Sequence, residues 1–228
     1  MESRKTLKSV GLALVLVIAA LPRNAEASDV ETRALALTVF DSTTLEWTQA
    51  FNAGESAYRA PKVLFTRLPR SHPARGAGYS PGELVTVDLG ELEEIRAIFP
   101  RDGDALAALI IAHEIAHHVQ FLEIRGGRYS RPTDPAYELQ ADCAAGWWLG
   151  RANARQGATQ LAPLFAPPDL DLQLPQLFQA LYTLKHRRLS SPSLSAARHH
   201  GSDAQRIAAF RRGLGAAEAS SCWSSASP

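Results

Sequence analysis

His113 and His117 stand four residues apart, with Glu114 directly after the first, in the segment His113-Glu114-Ile115-Ala116-His117. On a helix this spacing puts both imidazoles on one face, where they can share a Zn²⁺ ion while the glutamate takes a proton beside it. Two surface histidines near a carboxylate would give the same five letters in an exposed helix. The flanking residues argue against that: from Ala105 to Gln120 the chain is apolar on nearly every face, the mark of a helix buried in a core. Histidine and glutamate buried there without partners would be costly, so the motif calls for metal ligation or specific hydrogen bonding.

A catalytic zinc site typically takes three protein ligands and leaves one position open. Glu138 and Asp142, again four apart, supply two carboxylates on one face of a second helical segment, with small Ala141 and Ala145 letting it approach the first closely. Glu138 then fits as the third ligand to one zinc ion, and Asp142 as the acceptor that holds the far N–H of a ligating histidine. The competing assignment is an amphipathic helix carrying two solvated acids. Cys143 is a poor nucleophile, because no histidine is dedicated to it.

The elements that must carry these residues are mainly helical. Asp102 or Asp104 can cap the motif helix and Gly126-Gly127 can end it. Leu35 to Phe51 reads as a helix, although Leu35, Leu37 and Val39 alternate as a strand would and blur its start. Trp47 and the pair Trp147-Trp148 read as packing. Lys62 to Phe65 and Leu84 to Asp88 read as short strands. Leu84 to Asp88 is the candidate rim strand beside the cleft, where an extended peptide could add. Leu161 to Pro175 reads as a surface excursion before a helix at about Leu177 to Leu189. The pattern is α+β.

Residues 1 to 27 have the three parts of a secretory signal peptide: basic Arg4, Lys5 and Lys8, apolar Val10 to Leu21, and Ala25-Glu26-Ala27 ahead of Ser28. Cleavage after Ala27 would leave residues 28 to 228 as one exported domain, periplasmic or extracellular, with an uncleaved anchor as the alternative. Beyond the leader no segment reads as a membrane span. The full chain has 24 basic and 23 acidic residues; the leader holds four and two of these, so the mature part carries a net charge near −1. That balance gives no electrostatic case for nucleic acid or an anionic membrane. Cys143 and Cys222 can pair in an oxidising compartment and tie the tail to the core, or stand as separate thiols.

Three ordered segments, Ile111 to Gln120, Glu138 to Gly146 and His200 to Gly213, together resemble the neutral zinc metallopeptidases of bacteria. The resemblance extends more weakly through Thr86 to Leu89 and the helix around Trp47. It implies a zincin-like, mostly helical domain with a small antiparallel sheet on the active-site helix. It also implies a gluzincin-type centre: zinc on His113, His117 and Glu138, with Glu114 as general base. The chain departs from its relatives near Arg75 to Pro81, where they carry a cysteine pair and a longer segment.

His200 and Arg206 have the spacing of the His-Pro…Arg element in membrane-bound heat-shock gluzincins. By that similarity either could approach the zinc cleft and stabilise an oxyanion. The alternative has His200-Gly201-Ser202 opening the last helix, Ser202 or Asp203 capping it and Arg206 pairing with an acid. His118 and His199 are assigned to no metal. The expected reaction is hydrolysis of a peptide or unfolded protein by a zinc-activated water. Two rivals remain: a zinc-stabilised binding or assembly factor of the cell envelope with little turnover, and an amidase acting on cell-wall peptides.

Overall fold

The computed structural model describes residues 25–52, 57–72, 75–80, 82–100, 102–126, 135–155, 175, 178 and 201–223. Their order is α1 (Ala25–Asn52), β1 (Lys62–Thr66), β2 (Gly78–Ser80), β3 (Leu84–Asp88), α2 (Leu89–Ile98), α3 (Gly103–Arg125), α4 (Ala136–Ala154), α5 (Asp203–Leu214) and a short 3-10 turn, Ala219–Cys222. The mostly helical α+β architecture is the one expected. Most of the leader, the excursion at 161–175 apart from Pro175, and the helix expected at about 177–189 apart from Phe178 lie outside the described residues.

α3 is the central helix. Leu106, Ala107, Ala108, Ile115, Ala116 and Val119 are all fully buried, spread over its whole circumference, so neighbours must surround it. α1, α2, α4 and the sheet do so. Among the described residues it is the one helix long and apolar enough to cross a membrane, but most of its apolar stretch is buried inside this domain. Asp102 occupies the N-cap position without a side-chain cap bond, while Asp104 pairs with Arg96 of α2. Gly126 closes the last turn with its N–H on the Leu122 carbonyl.

α1 begins at Ala25, well before the expected Leu35. The added turns, Ala25 to Ala34, hold one large apolar residue, Val30, which is exposed, so no apolar period marks them; further along, the buried face mixes polar Thr32, Ser42, Thr43 and Glu46 with Ala36, Val39 and Trp47. Each polar group has a partner: Thr32 receives Arg96, Ser42 receives the Trp148 indole N–H, Thr43 donates to the Phe40 carbonyl, and Arg155 meets Glu46. Leu37, by contrast, is 42% exposed, so the strand-like alternation was accidental. The tryptophans pack as expected, with the Trp47 and Trp147 rings 4.5 Å apart.

The sheet corrects two expectations. It is mixed, in the order β1-β3-β2, with β1 parallel to β3 and only β2 antiparallel to it. The stretch from Thr66 to Leu84 is long enough for the crossover a parallel pair needs. Just before β3, Glu83 adopts a left-handed φ of 62°. β3 therefore has strands on both sides and cannot accept a peptide along either edge. Its end is functional for the fold instead: buried Asp88 caps α2 by accepting from the Glu91 N–H at 2.8 Å and also receives the Leu68 N–H at 2.6 Å. The terminal strand next to α3 is β2, whose Tyr79 packs on His118 and Phe121.

α4 and α5 touch backbone to backbone. A Cβ on Gly213 would overlap the Cys143 carbonyl, and one on Gly146 would overlap that of Phe210. Close approach of α4 therefore rests on glycines facing α5 as well as on buried Ala141 and Ala145. Cys143 and Cys222 form a disulfide across a Cα separation of 5.6 Å, fastening the 3-10 turn to α4.

Candidate metal centre

α3 and α4 bring His113, His117 and Glu138 together so that one donor atom from each lies within 4.8 Å of the others. The two Nε2 atoms are 3.1 Å apart. His113 Nε2 lies 3.1 Å from Glu138 Oε2, and His117 Nε2 lies 3.6 Å from Oε1. Both histidines are 8% exposed, so this is a buried cluster rather than a surface one.

Hydrogen bonds on the far side of each ring decide what the near side offers. His113 Nδ1 lies 3.0 Å from Asp142 Oδ1, and His117 Nδ1 lies 2.8 Å from Gln120 Oε1. Both partners are acceptors, so both Nδ1 atoms carry protons and, in neutral rings, both Nε2 lone pairs face the Glu138 carboxylate. Three electron-rich donors converging in this way suit a cation between them. Burial pushes the proton affinity of His113 down, but hydrogen bonds and charge from Asp142 and Glu138 outweigh it and lift the pKa to about 9. A proton is thus one occupant. Tetrahedral Zn²⁺ with bonds of about 2.0–2.1 Å would set its donors roughly 3.3 Å apart, a spacing the observed 3.1 and 3.6 Å bracket. The donor set fits zinc.

Asp142 is itself held from α5. Arg206 Nε donates to Oδ2 at 2.7 Å and Nη2 to Oδ1 at 2.8 Å, both groups being buried. Burial alone would raise the Asp142 carboxyl, but the Arg206 charge and hydrogen bonds overcome it and hold the group below the usual carboxylate range. Of the two roles open to Arg206, pairing with an acid is the one its described contacts show, in place of an approach to the cleft. Its guanidinium also lies 5.2 Å from the Phe178 ring centre. Ser202 caps α5 in a reciprocal box with Gln205. His200 and His199 lie outside the described residues.

Glu114 follows His113 on α3 and is half-buried, more open than either histidine. His118 is taken up by structure: wholly buried, it meets the Arg59 carbonyl through Nε2 at 2.6 Å and the Tyr79 hydroxyl through Nδ1 at 3.4 Å. Burial pushes its pKa down. Two residues with a bearing on the site went unassigned in the sequence. Gln120 contacts His117, and Tyr137 stacks on that ring at 4.9 Å with 15° between the planes. Gln120 sits three residues after His117, one turn along the same helix, and that spacing was the available signal.

Two helices bring His113 and His117 of HExxH and Glu138 of ExxxD to one point, with Asp142 behind His113 and braced from a third helix, an arrangement of the kind that zinc peptidases use for a single metal. Consistent with that class, residues 18–225 match the family described as "Putative neutral zinc metallopeptidase", and the chain belongs to it. It is also 27% identical to the protein named "Uncharacterized protein YpfJ" in Escherichia coli strain K12 and in strain O6:H1, over 77% of this chain and 65% of each relative. The chain thus spans less than two thirds of those curated relatives. No solved structure matches it significantly.

Proposed function

We propose that this protein is an exported zinc-dependent peptidase that hydrolyses peptide bonds in peptides or unfolded proteins. The observation that carries the reading is the convergence of His113 Nε2, His117 Nε2 and a Glu138 carboxylate oxygen on one point. These three residues would hold the ion and leave a position open. When bound, zinc supplies Lewis acidity towards a water molecule and the scissile carbonyl. Glu114, adjacent in sequence and more open to solvent than the ligands, accepts the proton of the attacking water and returns it to the leaving amine. Asp142 holds His113 in the tautomer that ligation needs, and Arg206 keeps Asp142 ionised.

β2 is the terminal strand beside α3, and an extended substrate adding along it would run past the motif helix. Gly201, with a left-handed φ of 80°, sets the chain against Leu139, next to Glu138, as it enters α5. His200 is kept as the candidate for stabilising the oxyanion on the spacing it shares with the heat-shock gluzincin element. Export is supported by the leader sequence and by the Cys143–Cys222 disulfide, which suits an oxidising compartment such as the periplasm or the extracellular space. Asp29 and Thr32, just past the cleavage point, tie α1 to Arg67 and Arg96, so the mature end would begin anchored.

The test is Glu114→Gln in the full chain, compared with wild type for zinc content and for cleavage of a peptide library. Zinc should stay, and cleavage should fall by about 10²–10⁴-fold, the usual worth of a general base. Equal cleavage by the variant would overturn the assignment. Zinc uptake with no cleavage by wild type would favour an envelope binding factor, and cleavage restricted to cell-wall peptides would favour an amidase.

A further inference from the structure

Gln120 is not a ligand, yet it joins the two ligand-bearing helices at His117. It is wholly buried, and three of its polar contacts are directional. Nε2 lies 2.7 Å from the Tyr137 carbonyl oxygen and 3.3 Å from Gln140 Oε1, both on α4, while Oε1 lies 2.8 Å from His117 Nδ1. A backbone carbonyl can only accept, so the amide nitrogen must face Tyr137 and the amide oxygen must face the imidazole. That oxygen in turn can only accept. His117 must therefore carry its proton on Nδ1 and keep the Nε2 lone pair for the point shared with His113 and Glu138.

A free imidazole side chain prefers the opposite arrangement, with the proton on Nε2, so the tautomer found here is imposed by the partner. The partner's own anchor matters as much. Tyr137 immediately precedes Glu138, and its ring lies flat on His117. One amide thus couples the rotation of the second ligand to the backbone at the third. His113 differs in being held by a carboxylate, Asp142. A neutral amide on His117 fixes its direction without adding another buried negative charge next to Glu138 and Asp142.

We infer that Gln120 is a positioning residue of the metal centre, setting the tautomer and orientation of His117 and locking them to the start of α4. The inference rests on the metal reading proposed above, and not on peptide cleavage. Its test uses the full chain with ¹⁵N-labelled histidine. Ring tautomers are read by NMR in the metal-free protein, and zinc affinity by competition with a chelator.

Wild type should show His117 protonated on Nδ1. Gln120→Leu, similar in size but without polar groups, should shift the proton to Nε2 and weaken zinc by about 10–100-fold. Gln120→Glu keeps an acceptor for Nδ1 but loses the donor to the Tyr137 carbonyl, so it should keep the wild-type tautomer while zinc affinity falls by no more than roughly tenfold, between wild type and the leucine variant. A leucine variant that keeps both the Nδ1 proton and full zinc affinity overturns the inference. If that variant does not fold, the glutamate variant decides: Nε2 protonation with zinc loss in a folded protein overturns it. A wild-type chain that binds zinc in this Gln120-dependent way but cleaves nothing overturns the peptidase reading alone, and one that takes up no zinc overturns both.

Discussion

Arg206 grips the Asp142 carboxylate with two N–H groups, at 2.7 and 2.8 Å, while Oδ1 of the same carboxylate faces His113 Nδ1 at 3.0 Å. One buried carboxylate therefore couples α5 to the ring of a candidate metal ligand. Removing Arg206 would leave that carboxylate buried without its main counter-charge, a change that typically costs about 3–5 kcal/mol. Arg206→Leu should lose stability of that order in denaturant unfolding of the metal-free chain, and its zinc affinity should fall as the grip on His113 loosens. Arg206→Lys should recover part of both, since it keeps the charge but not the two-point geometry. Unchanged unfolding in the leucine variant would mean that the pair contributes no net stability.

The three ligands should be separable from the groups behind them by the size of the effect. Zinc binding worth about 10–16 kcal/mol, shared over four positions, makes loss of one ligand a roughly hundredfold to thousandfold change. His113→Ala, His117→Ala and Glu138→Ala should each show it in metal content after dialysis against a weak chelator. Full zinc in Glu138→Ala would remove that residue from the ligand set.

The site was more legible in the sequence than the scaffold around it. The pairs His113 with His117 and Glu138 with Asp142 could be read because an i, i+4 spacing fixes a shared helical face whatever the tertiary structure, and the structure brings His113, His117 and Glu138 together. Arg206 could not be placed, since its partner lies 64 residues away in sequence and nothing local distinguishes a cleft residue from a buried ion pair. Gln120 was in plain view, but its role depends on a carbonyl of another helix. In the scaffold, the start of α1 was under-read because Ala25 to Ala34 carries one large apolar residue, the exposed Val30, and its buried Thr32 is polar, so no apolar period marks those turns. β2 was missed because three residues are too few to show alternation, and with it went the order of the sheet.

Metal binding should depend on pH in a definite direction. In the metal-free chain the pKa of His113 is about 9, against 6.5 for an ordinary histidine. A raised value in the folded state means that the proton stabilises folding fully below about pH 6.5 and that this support fades as pH rises through about 9. Metal-free protein should therefore melt at a lower temperature at pH 9.5 than at pH 7, apart from any other titrating group. At pH 7 zinc must displace that proton, so a titration in weak buffer should release roughly one proton per ion, and affinity should improve by up to about tenfold per pH unit towards pH 9. Affinity that does not change with pH would mean that His113 is already neutral before metal arrives.

The glycine contact between α4 and α5 gives a prediction with an internal control. A methyl group at Gly213 would overlap the backbone carbonyl of Cys143, the residue after Asp142, and backbone cannot swing aside as a side chain can. Gly213→Ala must push α5 away from α4, and Arg206, two turns earlier on α5, moves with it. The expected loss is at the upper end of the usual 1–3 kcal/mol for an overpacked core, with weaker zinc binding beside it. Gly215 is also at the end of α5, but a Cβ there would meet only the Arg211 carbonyl oxygen at 3.8 Å, an ordinary contact, and its φ is −88°. Gly215→Ala should thus fall within about 0.5 kcal/mol of wild type. Denaturant midpoints of the two variants, measured side by side with zinc affinity, decide the matter: equal midpoints would mean that the two helices are not in backbone contact, and that Arg206 reaches Asp142 without it.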